Sequence, residues 1–255
     1  MKLFSWNVNG LRAVYKKGFL EWLAKSGADL VCFQETRAQL DQLPFFLSRP
    51  AGYLAFFNSA NKKGYSGVAV YSRQRPLAVT KKLGLDRFDR EGRLLRLDYS
   101  HFSLLNLYLP HGGRQKENLE YKLAVYERLL RYLKSLLKKQ KNLILMGDFN
   151  IAHTEIDLAR PKDNQDNIMF TPAEREKLDE LASLGFVDSF RRLHPRAIGY
   201  YTWWPWRVNA RQRNLGWRLD YAWVSKSLVR KLKSASIFSQ VFGSDHCPIG
   251  LEIAS

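Results

Sequence analysis

Short apolar and alternating runs recur along the chain, and their uneven spacing constrains the fold more than any other feature of the sequence. Only three segments have helical character, at 18–26, 115–139 and 172–184. The last begins with a capping box from Thr171 to Glu174, with a proline at the first helical position. Strands that do not alternate regularly with helices favour a layered α/β sandwich with mixed sheets over a Rossmann fold. The predicted strands cover 2–8, 29–34, 53–58, 67–72, 94–99, 102–109, 142–147, 219–224 and 248–253.

A strong positive charge narrows the class of partner. Lysine and arginine number 41 against 24 aspartates and glutamates, a net charge of +17. Such an excess favours nucleic acid or an anionic membrane surface. No run is long and apolar enough to span a bilayer, the N-terminus does not resemble a signal peptide, and the two cysteines, Cys32 and Cys247, make no disulfide framework. We therefore expect a cytoplasmic protein without membrane contact, folded as a single domain over 1–255 because no linker or repeat divides the chain.

Several predicted strands end in the same way, with an apolar run that leads directly into acids and amides. A carboxylate just after a buried strand is costly to desolvate unless it has a partner or a metal ion. Each end taken alone is consistent with a solvated strand end, but together they indicate one converging site. Its polar residues are Asn7, Asn9, Glu35, Tyr108, Asp148, Asn150, Asp220 and the Asp245–His246 turn.

Oxygen donors dominate this predicted site, and they suit a hard divalent cation, Mg²⁺ or Mn²⁺. Cys247, which follows His246, has no second cysteine at metal-ligand spacing, and this argues against a thiolate zinc site. A hard ion beside an acid/base pair suits attack of water on a phosphate ester. Because the chain has no Walker loop and no glycine-rich dinucleotide motif, phosphoryl hydrolysis without a nucleotide cofactor is the hypothesis that remains.

A basic and aromatic segment indicates which phosphate ester this is. From Arg191 to Arg218 the chain has seven arginines and no acid, interleaved with six tryptophans and tyrosines. Arginine holds phosphates bidentately, and aromatic faces stack on bases. Some of the tryptophans are expected in the core, but seven arginines without a counter-charge predict a surface that meets an anion. The segment therefore favours nucleic acid as the substrate.

Taken together, the motifs resemble those of the exonuclease III family of AP endonucleases, within the wider endonuclease/exonuclease/phosphatase superfamily. The resemblance runs in order from residue 3 to the C-terminus and implies a four-layer α/β sandwich with two mixed β-sheets flanked by helices. It also implies Mg²⁺-dependent hydrolysis of DNA 5′ to abasic sites, 3′-to-5′ exonuclease action and cleaning of blocked 3′ ends in base excision repair. The motifs are WNVNGLRA (6–13), QET (34–36), GYSGVAVYSR (64–73), DREGR (89–93), NLYLPHGG (106–113), GDFNIAH (147–153), GWRLDY (216–221) and GSDHCPI (243–249).

The resemblance implies roles for residues that act on the phosphate. Asp148 matches the carboxylate that orients or deprotonates the attacking water, and Asn150 matches the amide that holds the phosphate. Tyr108 matches a phenol that contacts the phosphate or assists the leaving group. His246 matches the imidazole at the scissile phosphate, with Asp220 fixing its tautomer.

Metal and DNA contacts are implied in the same way. Glu35 matches the principal metal ligand. The other implied members of the metal shell are Asn7, Asn9, Asp148, Asn150 and Asp245. The residues implied to contact DNA or line the abasic pocket are Arg37, Tyr65, Arg114, Asn164, Asn167, Met169, Trp203 and Trp217.

Departures from the family pattern indicate an alternative function. Asn9 stands where many relatives have aspartate, so this ligand position has one negative charge fewer, and Arg37 stands where lysine is common. Met169 lies in the middle of a loop, 168–170, in which relatives often have a small residue. A methionine there is expected to narrow the pocket for the flipped abasic sugar, which would favour a 3′-phosphodiesterase and exonuclease with weak abasic incision.

Two rival classes share part of the pattern. Inositol-polyphosphate phosphatases, sphingomyelinases and DNase I-like nucleases have similar GDFN and SDH elements, but the arginine- and tryptophan-rich segment favours DNA. A DNA-binding module with a dead site would lack Glu35, Asp148 or His246, and all three are present. We expect a compact, prokaryotic-type, nucleoid-associated monomer that acts on double-stranded DNA with abasic sites or blocked 3′ ends.

Overall fold

Two six-stranded sheets lie face to face at the centre of the computed structural model, which describes residues 1–254. The strands are β1 (Lys2–Asn7), β2 (Leu30–Gln34), β3 (Leu54–Asn58), β4 (Val68–Ser72), β5 (Ala78–Thr80), β6 (Leu94–Asp98), β7 (Ser103–Tyr108), β8 (Leu143–Asp148), β9 (Phe186–Asp188), β10 (Asp220–Ser225), β11 (Leu232–Ile237) and β12 (Ile249–Ile253). The first sheet has the order β11-β12-β1-β2-β4-β3 and the second β5-β6-β7-β8-β10-β9. Each sheet is mixed, because β1 and β2 are parallel, as are β7 and β8, while the other neighbours are antiparallel.

Helices cover the outer faces of both sheets. They are α1 (Leu11–Tyr15), α2 (Phe19–Ser26), α3 (Phe45–Ser48), α4 (Asp86–Arg90), α5 (Leu119–Leu137), α6 (Pro172–Ser183) and α7 (Ser189–Leu193). Within residues 1–254 none of these helices has the length and apolar character needed to cross a membrane.

Alternation along the strands separates the core into layers. In β8, Ile144 and Met146 pack between the sheets, whereas Leu143 and Leu145 pack on the helical side with residues of α5 such as Leu133. On the other side, β1 and β2 direct their aromatic residues towards α1 and α2. The resulting order of helix, sheet, sheet and helix confirms the predicted four-layer sandwich.

The sequence-based prediction missed three strands and the four short helices α1, α3, α4 and α7, and it misplaced the start of one helix. All nine predicted strands are present within one or two residues of their expected ends, but β5, β9 and β11 were not expected. Two of them have only three residues, and β11 (LKSASI) has lysine and serine where an apolar run would have signalled a strand. The helix predicted over 115–139 spans Leu119–Leu137, because Lys116 has a φ of 64° and so cannot be helical.

Gly147 is the position where the second sheet tolerates no side chain. It has a φ of 144°, and a Cβ atom built on it would lie 1.9 Å from the carbonyl oxygen of Leu107 in the parallel neighbour β7. We expect Gly147→Ala to lower the free energy of unfolding by about 3 kcal/mol or more, because strand backbones must move apart. Gly185→Ala is the control, since it also has a positive φ, 95°, but a Cβ there meets no atom within 4 Å. If urea denaturation showed the same loss of unfolding free energy in both variants, the steric explanation would be wrong.

Candidate active site

The polar ends of five strands meet at one edge of the sandwich. In the first sheet, parallel β1 and β2 end side by side, with Asn7 opposite Gln34. In the second sheet, Tyr108 at the end of β7 lies opposite Asp148 at the end of β8, and Asp220 begins β10 opposite Asp148. Two parallel pairs therefore direct the residues that follow them to the same place, as the sequence predicted.

Sharp backbone turns follow these strands. Asn9, Glu35, Arg37 and Asn150 all have φ between 45° and 53°, in the left-handed region that non-glycine residues seldom occupy. Such conformations cost about 1 kcal/mol or more each and cluster at functional sites. Backbone hydrogen bonds from neighbouring segments hold these turns: Gly10 N, for example, donates to Glu35 O at 2.8 Å. The chain thus leaves each strand abruptly and keeps its polar side chain in the site.

Amide side chains connect three carboxylates. Asn7 Nδ2 donates to Glu35 Oε1 and to Asp148 Oδ2, both at 2.9 Å. Asn9 Nδ2 donates to Asp245 Oδ1 at 2.7 Å, and its backbone N–H donates to Asn7 Oδ1 at 3.0 Å. The three acids come from strand ends far apart in the sequence, and one chain of hydrogen bonds joins them.

The donor set fits a hard metal ion. Glu35 and Asp148 converge on a single amide nitrogen, and two carboxylates this close favour a cation between them. A second group, Asp148, Asp220 and His246, has ligand atoms within 4.8 Å of one another and could hold a metal. In that group His246 Nδ1 already binds Asp220 Oδ2 at 2.7 Å, so the oxygen-rich side with Glu35 and Asp245 suits Mg²⁺ better.

Asp148 is the most perturbed acid of the site. It is buried, its Oδ1 accepts the Asn150 N–H at 2.8 Å, and its Oδ2 accepts Asn150 Nδ2 at 3.2 Å. Burial raises the pKa of Asp148 to about 7, with Asp220 and Glu35 adding to the rise and His246 opposing it. A carboxyl group with a pKa near neutrality is suited to accept a proton from water.

A buried histidine and aspartate form the other half of the site. Since a carboxylate only accepts hydrogen bonds, His246 Nδ1 donates to Asp220 Oδ2, which leaves Nε2 directed at Asp148, 3.9 Å from its Oδ2. Burial opposes the charge of His246, but Asp220, and then Asp148 and Asp245, raise its pKa to about 10. The imidazole is therefore a cation at neutral pH. Asp220 Oδ1 is buried without a hydrogen-bond partner.

Tyr108 lies beside this cluster and remains a phenol. Desolvation raises its pKa well above the ordinary value, and the charge of Glu35 adds to the rise. The guanidinium of Arg93 lies 4.4 Å from the Tyr108 ring centroid and donates to the hydroxyl of Tyr65 at 3.0 Å. The buried Arg93 thus fixes two aromatic residues at once.

A groove of about 570 Å³ opens from the carboxylate cluster. Asp245 belongs to both, because its Oδ1 accepts from Asn9 and its Oδ2 accepts from Trp203 Nε1 at 3.1 Å. Burial disfavours the charge of Asp245, but His246 and these hydrogen bonds outweigh it and lower its pKa. The residues implied for DNA binding that line the groove are Arg114, Asn164, Asn167, Met169, Trp203 and Trp217.

Comparison with known proteins identifies the family. The family model for the endonuclease/exonuclease/phosphatase family matches residues 4–246. The chain belongs to this family. An exodeoxyribonuclease of Bacillus subtilis is 46% identical over 254 residues, covering 99% of both chains. The DNA repair nuclease APEX1 of Danio rerio is 42% identical and covers 100% of this chain and 82% of its own. The predicted resemblance to exonuclease III-type AP endonucleases is confirmed.

Solved structures agree with the fold assignment. The 3′ phosphatase NExo from Neisseria, solved with a product DNA hairpin, superposes with a TM-score of 0.92 at 28% identity, and each chain is covered completely. NExo thus shares the arrangement of two sheets and flanking helices seen in this chain.

The prediction of seven uncompensated arginines was partly wrong. Arg218 is buried and binds Asp157 at 2.8 Å and Asp188 at 2.8 Å, and Arg191 Nε binds Asp157 at 3.0 Å. Together the two arginines lower the pKa of Asp157 against the cost of its burial. Arg211 donates to three backbone carbonyls. The counter-charges come from outside the segment, so at least three of the seven arginines are structural.

Several residues around the site were not predicted individually. His111 lines the groove. Trp206 and Arg207 line it too, and the sequence had placed these two only within the arginine- and aromatic-rich segment expected to meet DNA. A second groove reaches the site at Asn9 and is lined by Arg12, Lys16, Lys17 and Arg37. Arg12 lies in the motif WNVNGLRA, and Lys16 and Lys17 follow it, so charge at the end of a predicted strand was the available signal; Arg37 had already been predicted. Arg37 also donates to Glu35 Oε2, at 2.9 Å from its Nε.

Proposed function

We propose that this protein is a Mg²⁺-dependent DNA repair nuclease that hydrolyses phosphodiesters 5′ to abasic sites and processes 3′ ends. One observation carries the proposal: Asp245 joins the carboxylate and amide cluster to the arginine- and tryptophan-lined groove. Chemistry suited to phosphate esters is therefore continuous with a surface suited to nucleic acid. The names of the bacterial and vertebrate relatives, an exodeoxyribonuclease and a DNA repair nuclease, support it.

Each side chain of the cluster has a proposed part in hydrolysis. Asp148 orients the attacking water and accepts its proton, as its pKa of about 7 suits. The His246 cation and the amide of Asn150 bind the phosphate oxygens and stabilise the charge that develops there. Asp220 holds the His246 ring and its charge, and Tyr108 donates a hydrogen bond from its phenol to the phosphate or the leaving oxygen.

The metal ion would be held by the oxygen-rich side of the site. Glu35 is the proposed principal ligand, with Asp148, Asp245 and the amides of Asn7 and Asn9 nearby. When bound, Mg²⁺ or Mn²⁺ would supply Lewis acidity at the phosphate. Asn9, as a neutral amide, weakens the total negative charge of the shell relative to a carboxylate.

The chain is proposed to act as one domain and as a monomer. The interior layers run through both sheets, and β1, β11 and β12 near the two ends of the sequence pair with each other. The likeness to a bacterial exodeoxyribonuclease over 99% of this chain supports a cytoplasmic location, and a nucleoid-associated role is proposed with it. Double-stranded DNA with abasic sites or blocked 3′ ends is the proposed partner.

Cleavage of two labelled duplexes tests the function. One carries an internal abasic-site analogue and the other a recessed 3′-phosphoglycolate end, and each is incubated with Mg²⁺ or with EDTA. We expect metal-dependent cleavage of both, and none by a Glu35→Ala, Asp148→Asn double variant. Failure of the wild-type protein to cut either duplex with Mg²⁺ or Mn²⁺ would overturn the nuclease proposal.

Met169 favours a second candidate, a 3′-end enzyme with weak abasic incision. Its backbone has a φ of 72°, where glycine is preferred, and its side chain packs with Ile168, Phe170 and Trp217 at the groove wall. The side chain therefore takes up space next to the proposed pocket for the abasic sugar.

Met169→Gly tests this candidate directly. We expect abasic incision to rise about tenfold relative to 3′-phosphoglycolate release, because a side chain at a pocket wall typically discriminates by this amount or more. Met169→Ala separates bulk from backbone conformation: it removes most of the side chain but keeps a Cβ atom at the left-handed φ, so it should raise incision nearly as much as Met169→Gly if bulk restricts the pocket. Equal incision rates in wild type and Met169→Gly would show that the methionine does not restrict the pocket.

A further inference from the structure

A completely buried ion pair lies beside the candidate site without belonging to it. Lys122 of α5 and Glu174 of α6 have side chains that are 0% exposed, and Lys122 Nζ binds Glu174 Oε1. Neither group can touch DNA, because neither reaches the surface. Burial lowers the pKa of Lys122, and the adjacent Glu174 carboxylate opposes that change.

Two of the three donors of the lysine bind loops of the site. Besides Glu174, Lys122 Nζ donates to the backbone carbonyl of Asn150 at 2.7 Å and to that of His111 at 3.1 Å. An ammonium group has three hydrogens, so all of them have partners. Asn150 is a proposed phosphate-binding residue, and His111 lines the groove.

The carboxylate holds a different loop. Glu174 Oε1 also accepts the backbone N–H of Met169 at 3.0 Å, while Oε2 accepts from the N–H and the hydroxyl of Thr171 at 3.0 and 2.8 Å. The second set is the capping box that begins α6. Met169 in turn accepts at its carbonyl from Ala152 N at 2.8 Å, so this loop is tied to the segment just after Asn150.

Stability alone does not account for such a pair. Two buried charges cost several kcal/mol to desolvate, and well-packed apolar side chains often stabilise a helix contact as well or better. What apolar side chains cannot do is satisfy the carbonyls of Asn150 and His111 and the N–H of Met169 together. The pair thus binds backbone groups of two loops, and His111 in one and Met169 in the other line the groove.

We propose that Lys122 and Glu174 are positioning residues that tie the phosphate-binding loop at Asn150 to the pocket wall at Met169. The tie fixes the distance between the point where the phosphate is held and the point where the sugar is accommodated. This inference rests on the proposed nuclease function for its kinetic consequence. Its structural consequence, that the two loops move when the pair is removed, does not.

Three variants separate the tie from a general effect on folding. Lys122→Met leaves the buried Glu174 carboxylate without its counter-charge, and Glu174→Gln keeps one acceptor for the capping box. The double variant Lys122→Met, Glu174→Gln removes both charges and retains similar volume. Leu133→Ala, in the buried face of α5 away from the site, is the stability control.

Kinetics with the two duplexes give the first readout. We expect kcat to fall about 10²-fold on both substrates, the effect of a misplacement of about 1 Å, with KM for DNA changed less than about threefold because no DNA contact is lost. The double variant is expected to lose no more than the worse single variant, since the pair acts as a unit. Unchanged kcat in the folded double variant, or an equal loss in Leu133→Ala, would overturn the proposal.

Backbone amide exchange gives a readout that does not depend on activity. The N–H groups of Met169 and Ala152 are expected to exchange at least about tenfold faster in the double variant than in Leu133→Ala of similar thermal stability. Protection that is the same in both would overturn the tie even if the wild type proved inactive on DNA. If instead the wild type cut neither duplex but these N–H groups exchanged faster in the double variant, the nuclease function would be overturned and the tie would stand.

Discussion

Asp148→Asn is expected to lower kcat for phosphodiester cleavage by about 10⁴-fold while the folded state stays as stable as the wild type or becomes more stable. The asparagine cannot accept a proton from water, and it removes a negative charge from the proposed metal shell. Its oxygen can still accept the Asn150 N–H that now binds Asp148 Oδ1 at 2.8 Å. Its amide nitrogen takes the place of Oδ2 and cannot accept from Asn7 Nδ2 or Asn150 Nδ2, which offsets part of the gain in stability. Single-turnover cleavage and urea unfolding, both at pH 8, measure the two effects.

The sign of the stability effect follows from the direction of the pKa shift. Burial raises the pKa of Asp148 from 3.8 to about 7. The stability that the protonated group contributes is complete below pH 3.8 and is lost as the pH rises through 7, so at pH 8 the folded state bears the cost of a buried charge. Asparagine avoids that cost. Asp179→Asn, at an exposed carboxylate bound to His153, is the control and should change neither quantity. A variant that keeps kcat within tenfold, or unfolds much more easily than the wild type, would contradict the assignment.

The strand ends could be predicted from the sequence because their chemistry is local. An apolar run followed at once by Glu35, or by Asp148 and Asn150, signals a buried strand that delivers a polar group to its end. Two parallel pairs then bring such ends together without any further information about the chain. In this region the sequence is enough to predict the site residues, and the strand pairing determines where they lie.

Charge compensation could not be predicted, because it joins residues far apart in the chain. Arg191 and Arg218 bind Asp157, which precedes them by 34 and 61 residues. Lys122 similarly stands in an amphipathic helix, where a lysine is normally expected on the solvated face. Only its contact with Glu174, 52 residues away, shows that it is interior. The local sequence pattern therefore overestimated the number of unpaired arginines and did not reveal the buried lysine.

Backbone conformation was also beyond the sequence pattern. Nothing in the residue types of Glu35 or Arg37 indicates a left-handed φ, since neither is glycine or asparagine. The turn is imposed by neighbours, such as Ser66 O, which accepts from Arg37 N at 2.8 Å. Met169 is the informative case, because both its size and its left-handed φ bear on the same pocket wall, and only the size was visible in the sequence.

Asp220→Asn is expected to lower kcat about 10³-fold and to move the alkaline limb of the pH–rate profile to lower pH. Asp220 is the strongest of the charges that raise the pKa of His246 to about 10. Without it the imidazole loses its proton at a lower pH and no longer presents a cation to the phosphate. Cleavage rates between pH 6 and 9.5 at saturating Mg²⁺, with the His246 ring titrated by NMR, measure both effects. If the alkaline limb of Asp220→Asn stayed at the wild-type pH, Asp220 would act only by fixing the tautomer of His246. In that case Asp220→Ala, which cannot hold the tautomer, would have the lower kcat of the two variants.

Stability distinguishes Asp220 from Asp148, although both carboxylates face the same imidazole. A histidine whose pKa is raised from 6.5 to about 10 contributes stability that is complete below pH 6.5 and is lost as the pH rises through 10. Asp220→Asn removes the main cause of that rise, so the free energy of unfolding at pH 7 should fall, by about 1–3 kcal/mol. Asp148→Asn is expected to leave it unchanged or higher. The two isosteric changes would then have opposite effects on stability, although both lower kcat for cleavage. This result would mean that Asp220 stabilises the charge of His246 in the folded site, whereas the Asp148 carboxylate is kept there at a cost in stability because it reacts with water.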